Sequence, residues 1–307
     1  MLDFIAVPIG YLLKFIYEVL AFKNYGLAII LLTIIIKTLL LPLYIKQYKA
    51  ISKINEIQPQ MQEIQKKYKN DNEKLNQEIM KLYSENKINP ASGFLPLLIQ
   101  MPILFSLYYV ISQPLKYMFR KSPDVIQKLF ESIPLGPDKI ANMPDLSIIN
   151  YYSKHLDKLS DVSQMLKRDE IVNMNFFGIN LGLVPSSNLH QMSENMALLL
   201  VPILSAITTY ISIKYSAQKS QEKNENQIQN SMQRSMNLFA PIMTGIISFT
   251  VPAGLGLYWI VGNIYQIFQQ LFMDKFIIKN NSNVEKRKDY NKNNGLSMRK
   301  VQDSENV

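Results

Sequence analysis

The twenty residues GLAIILLTIIIKTLLLPLYI, positions 26–45, decide how the rest of the chain is read. Thirteen of them are Leu or Ile, and a helix of about 20 apolar residues is what a ~30 Å hydrocarbon layer requires. One ammonium group, Lys37, interrupts the run. It lies about 13 Å of helical rise from the polar boundary near Lys46, close to a bilayer centre. A lysine there costs roughly 2.5–3.5 kcal/mol. The Leu and Ile residues offer about 0.3–0.6 kcal/mol each, roughly 4–8 kcal/mol together. Insertion wins, but the lysine still requires a reason. Snorkelling along its own helix is one reading; a lysine stem spans only about 6 Å, roughly four residues of rise. The favoured reading is a hydrated cavity inside the protein. The apolar runs contain no acid to pair with it, so that cavity is expected to be positive and wet.

Working outward, further apolar runs fall at 94–113, 196–213 and 236–273. The last is too long for one span and holds Pro252, Gly254 and Gly256, so it divides into 236–251 and 253–273 around a tight turn. The expectation is an all-α polytopic membrane protein with a five-helix core. Residues 236–251 reach only about 24 Å, and such a mismatch thins the bilayer locally. Residues 1–25 read as an interfacial amphipathic helix, with Lys14 and Glu18 spaced for an i, i+4 pair. A short uncleaved span over 4–22 is the rival, and the basic part of a secretory signal is missing from Met1-Leu2-Asp3.

Charge on the connections gives orientation. Segment 46–93 carries nine lysines against six acids, and the tail 274–307 eight bases against five acids. Loop 214–235 holds Lys214, Lys219, Lys223 and Arg234 against Glu222 and Glu225. These three fall on one side of a five-span chain, which the positive-inside bias makes cytoplasmic. The N-terminus is then outside, with 114–195, whose nine bases and nine acids balance. Within 46–93, Ile51, Ile54, Ile57, Met61, Ile64 and Tyr68 share one helical face, and Leu75, Ile79, Leu82 and Tyr83 another, across Lys69–Asn72. The reading is a cytoplasmic helical hairpin, either a docking arm or a solvated spacer. Residues 174–185 look like an interfacial strip, and Gly178-x-x-x-Gly182 admits a helix-dimer reading.

Thr33 shares the face of Lys37. Gln100 and Ser106, Ser205, Thr208 and Thr209, Thr244 and Ser248, and Asn263, Gln266 and Gln270 supply polar groups from the other spans. Together with an unpaired lysine they favour a groove. Cysteine is absent, which excludes disulfides, thiol catalysis and Fe–S clusters. With only His155 and His190 outside the apolar runs, no metal site is expected, and no cofactor. No G-x-x-x-x-G-K-[ST] loop occurs, and no paired acids or nucleophile–base set lies within the spans, so neither ATP hydrolysis nor a membrane-embedded hydrolase is expected. A small-anion transporter is a competing class for the same positive cavity.

Three motifs carry a resemblance. Asn89-Pro90-Ala91-Ser92-Gly93 followed by PLLIQMPI at 96–103, PAGLGLYWIVGN at 252–263, and Thr33 with a base four residues on and Leu41-Pro42-Leu43 after it resemble the YidC/Oxa/Alb family of membrane protein insertases. The likeness covers roughly 25–113 and 196–273. It implies a non-enzymatic insertase and chaperone whose groove opens to the cytoplasm and to lipid, is closed outside, and uses its base to attract acidic residues of nascent membrane proteins. It places Lys37 as the groove base, Thr33 and Trp259 at substrate-contacting positions and Gln100 on the groove side, with Tyr258 and Asn263 in the final motif. The family's base is usually Arg; Lys is the more compact, better hydrated charge. The implied partners are client chains, the bilayer, and the ribosome, Sec translocon or signal recognition particle. The tail bases Lys286-Arg287-Lys288 and Arg299-Lys300 suit ribosomal RNA or anionic lipid, or a topology anchor.

Overall fold

The computed structural model describes residues 2–89, 95–136, 139–140, 142–186, 196–221 and 227–275. The chain divides into two compact units, Met1–Tyr265 and Gln266–Val307. Pro90–Gly93 of the first motif, His190, and the basic tail around Lys286 and Arg299 lie outside the described residues. What is described is mostly helical, with one two-stranded sheet.

Helix α1 (Asp3–Phe15) runs into a π-turn (Ile16–Leu20), and Lys14 reaches Glu18 at 3.8 Å across that junction. Helix α2 (Tyr25–Leu39) is capped by Asn24, whose side chain accepts the Leu27 N–H. The apolar run quoted above does not form one helix over 26–45. It breaks at Leu40, and α3 (Leu41–Glu56) leaves at 54° to α2. Pro42 is the reason: it has no N–H to continue the ladder, and it sits in the first turn of α3, where none is needed. Pro59 does the same at the start of α4 (Gln58–Lys67). Helix α5 (Asn72–Glu85), capped by Asp71, folds back on α4, with the Tyr83 hydroxyl 3.6 Å from the Met61 sulfur.

Helix α6 (Leu95–Ser112) stops before Pro114, which opens the one-turn α7 (Pro114–Tyr117). Then come α8 (Pro123–Ser132) and α9 (Pro144–Lys154), short 3-10 turns, and strands β1 (Asn175–Phe176) and β2 (Ile179–Asn180). The strands pair antiparallel across Phe177-Gly178, both at positive φ, as a two-residue hairpin turn of this hand demands. Gly178 and Gly182 are therefore not on a helix, and the helix-dimer reading of their spacing is overturned: Gly178 supplies a turn φ of 80° instead.

The main core lies where α1, α2, α6, α7, α8 and α9 meet. Leu13, Tyr25, Ile29, Leu107, Ile111 and Leu129 are fully buried there. Segment 114–195, so balanced in charge, thus contributes much of the core.

Helix α10 (Leu200–Gln221) packs extensively on α11 (Gln227–Thr250), and α12 (Ala253–Met273) follows the turn at Val251-Pro252. Met196–Ser216 is by itself long and apolar enough to cross a bilayer; α2 and α3 qualify only as a bent pair. Gln100–Ser112 and Leu238–Thr250 are shorter apolar stretches. Leu200, Ile203, Leu204 and Ile207 on α10, and Ile242, Ile246 and Ile247 on α11, are exposed, and exposed apolar faces of this kind suit contact with lipid or another chain. In the second unit, the end of α12 is followed by a Gln270–Asp274 side-chain hydrogen bond of 3.5 Å.

Candidate functional site

Lys37 occupies the last turn of α2, half-buried. Its Nζ lies 5.7 Å from the centre of the Tyr44 ring on α3, within reach of a cation–π attraction. On its other side Gly262 of α12 leaves room: a Cβ there would stand 3.6 Å from the Lys37 Cε. Among the described residues the ammonium has neither an acidic partner nor a hydrogen bond.

From Tyr44 a polar chain crosses the bundle. Its hydroxyl donates to Gln100 Oε1 on α6 at 3.0 Å, and Gln100 Nε2 donates to the Tyr258 hydroxyl on α12 at 3.5 Å. Tyr258 is buried; Trp259, beside it, packs half-buried against the core. Lys37, Gln100 and Tyr258 are thus brought together from three helices. Tyr44 and Gly262, which the motif reading did not single out, complete the set. A signal for Tyr44 existed in its seven-residue spacing from Lys37, two helical turns, but the break at Leu40 makes that spacing an unreliable guide.

Two of the expected residues stand apart. Thr33 is 0% exposed, and its hydroxyl donates to the Ile29 carbonyl one turn back at 2.7 Å. It is a satisfied core threonine here, because its partner lies on its own helix. Asn263 donates to Thr208 Oγ1 and Thr209 Oγ1 on α10, at 3.2 and 2.8 Å, and so joins α12 to α10. Other polar residues of the spans differ in how they are satisfied. Ser205 and Ser248 meet at 3.2 Å, Thr244 bonds back to Ala240, and Ser106 is buried with its hydroxyl unpartnered among the described residues.

Chemically the site offers one cation, an aromatic face, an amide and two phenolic hydroxyls. Such a set can attract and orient a carboxylate; among the described residues no group of three His, Cys, Asp or Glu side chains could hold a metal.

Comparison with known proteins identifies the family. The model of the 60Kd inner membrane protein family matches residues 15–281. The chain belongs to that family. Family relatives share most of its length. A membrane protein insertase YidC of Caldanaerobacter subterraneus subsp. tengcongensis is 34% identical over 270 residues, 88% of this chain and 94% of the relative. The insertase of the same name from Clostridium perfringens is 32% identical over 250 residues, 81% of this chain and 78% of the relative. That of Oceanobacillus iheyensis is 31% identical over 259 residues, covering 82% and 75%. The family match takes in α2 to α12, and with them every residue of the site.

Proposed function

We propose that this protein is a membrane protein insertase and chaperone, which helps nascent integral membrane proteins enter and fold in a bacterial cell membrane. The observation that carries the reading is the Lys37 ammonium, held between the Tyr44 ring and the gap at Gly262 with no acid beside it. A cation so placed in an apolar helix is costly unless water or a visiting anion meets it. The visitor is an acidic residue of the client's polar segment, and the client's apolar helix then leaves sideways into lipid.

The framework is five spans, near 26–45, 94–113, 196–213, 236–251 and 253–273, with the N-terminus outside and the C-terminus in the cytoplasm. The exposed apolar faces of α10 and α11 support lipid on that side. The α3–α5 arm, within 46–93, is cytoplasmic and meets the ribosome, a Sec translocon or signal recognition particle components; loop 214–235 and tail 274–307 share its side. The groove is open toward that arm and carries Lys37, Gln100, Tyr258 and Trp259. Thr33 and Asn263 shape its walls. No ATP is consumed; client partitioning and the membrane potential supply the drive.

The test is depletion of the protein in cells, followed by insertion of a small client with an acidic outer segment. Lys37→Ala is expected to leave that client uninserted and Lys37→Arg to restore it. If alanine serves every client as well as lysine, charge attraction is not the mechanism. Solute flux through the reconstituted protein would instead favour an anion pathway.

A further inference from the structure

Between Asn173 and Val184 the chain binds four other parts of the molecule in quick succession. The Asn173 N–H donates to the Tyr17 hydroxyl at 3.0 Å, and its carbonyl accepts the N–H of Tyr25, the first residue of α2, at 3.1 Å. Asn24, while capping α2, donates its side-chain amide to the Asn175 carbonyl at 3.1 Å. The Phe176 ring fills the space beside Gly26 so closely that a Cβ on Gly26 would overlap it.

Further along, the Leu181 and Leu183 carbonyls accept the N–H groups of Gly254 and Ala253, the first two residues of α12, each at 2.9 Å. The first N–H groups of any helix lack partners within it. Here one segment supplies carbonyls to the starts of both α2 and α12.

The stretch between these two attachments is itself clasped. Asn180 Nδ2 donates to Asn150 Oδ1 at 3.1 Å, the Gly182 N–H donates to Asn180 Oδ1 at 2.9 Å, and Asn150 Nδ2 reaches the Gly182 carbonyl at 3.5 Å. Asn150 is buried on α9, so the clasp ties the segment to the core. Directly beneath, Ile29 and Ile111 would both contact a Cβ placed on Gly254, at 3.2 and 3.1 Å.

The two helices so joined are the ones that carry Lys37 on one side of the site and Tyr258 and Gly262 on the other. We infer that residues 173–184 are a strap that fixes the outer ends of α2 and α12 relative to each other, and that the outside closure which the family likeness implies is built by this segment. A mere connection between α9 and α10 has no need of main-chain bonds to the starts of two other helices. Phe176 and Asn150 act here as positioning residues: they hold the groove walls through the strap and do not touch the client. The inference rests on the groove reading, and it adds that a client's polar segment reaches the far side only by displacing or skirting this strap.

The chain has no cysteine, so a single reporter can be placed cleanly. Ile29→Cys sits 0% exposed, one turn below the strap. In intact cells, labelling from outside with a membrane-impermeant maleimide is expected to be slow with the strap intact. It rises roughly tenfold or more when Phe176→Ala or Asn150→Ala loosens it, as local opening exposes what it covers. A control cysteine at the exposed Phe177 should label quickly in every background. Equal protection of Ile29→Cys in both loosened chains, or fast labelling with the strap unaltered, overturns the strap. Phe176→Leu, which keeps an apolar filler, replaces the alanine variant if that fails to accumulate. Lys37→Ala should leave the reporter protected, so a loss of insertion there bears on the groove and not on the strap.

Discussion

Two ionisable side chains, one fully buried and one half-buried, are surrounded in different ways. Asp145, at the start of α9, is 2% exposed, and its carboxylate is wrapped by main chain: it accepts the Lys116 N–H at 2.9 Å and a further N–H from Leu115. Lys37 has an aromatic ring and a glycine gap, and no hydrogen bond or ion pair among the described residues. The carboxylate joins α9 to α7 within the molecule, whereas the ammonium has no such partner among the described residues, and the proposed function gives it one in the client. A buried charge with its partners in place belongs to the architecture; one without them needs water or another partner, which is the place the proposed function gives to a client's acid.

The largest expected effect breaks the first half of this contrast. Asp145→Ala strands the Leu115 and Lys116 N–H groups, a loss of about 1–3 kcal/mol. Hydrogen exchange in residues 142–154 should speed up, and protease should cut there first. The second effect concerns Lys37→Met, which removes an unpaired charge and fills its space. Thermal stability in detergent should stay level or rise, while insertion of acidic clients falls about tenfold, equivalent to about 1.4 kcal/mol. A matching loss of stability would put Lys37 in the same class as Asp145.

The third prediction is a pH profile. Burial pushes the Asp145 carboxyl up to about 6, against the lowering effect of the N–H groups around it. A raised folded value means the folded state holds a proton that the unfolded chain releases. The added stability is therefore complete below about pH 4, and fades as pH rises through about 6. Protection factors of residues 142–154, corrected for the intrinsic pH dependence of amide exchange, should be higher at pH 5 than at pH 7.5, and Asp145→Asn should flatten that difference. The smallest effect is at the other group's edge. Gly262→Ala places a Cβ at ordinary contact distance from Lys37, so stability should change by less than about 1 kcal/mol. Client crosslinking next to Lys37 should fall if that gap is where the visitor sits.

The contrast also separates what could be read from the sequence. Lys37 was legible because a charge amid thirteen Leu and Ile residues stands out against its own neighbours. Asp145 was not: among nine acids and nine bases in 114–195 it reads as one more solvated charge. Its burial depends on α9 meeting α7, a contact between residues 29 apart that has no local period. The Lys14–Glu18 pair, a matter of four residues on one turn, was legible for the opposite reason. Serines and threonines in apolar helices were only half legible. Thr33 and Thr244 spend their hydroxyls on their own helix, and Ser205 and Ser248 on each other, and composition gives all of them the same weight as a groove-lining residue. The break at Leu40 was signalled by Pro42, but apolarity continued through it, and a bilayer span is judged by apolarity.

That break has a mechanical consequence. Tyr44 lies only four residues past the pivot, about 6 Å of rise, whereas Glu56 at the end of α3 is about 24 Å away. A rotation of about 5° at Leu40 therefore carries Glu56 some 2 Å, yet shifts the phenol ring against the lysine by only about 0.5 Å. Turned about that pivot, the arm would act as a reducing lever: coarse displacement at its far end would reach the ammonium group as a fine adjustment.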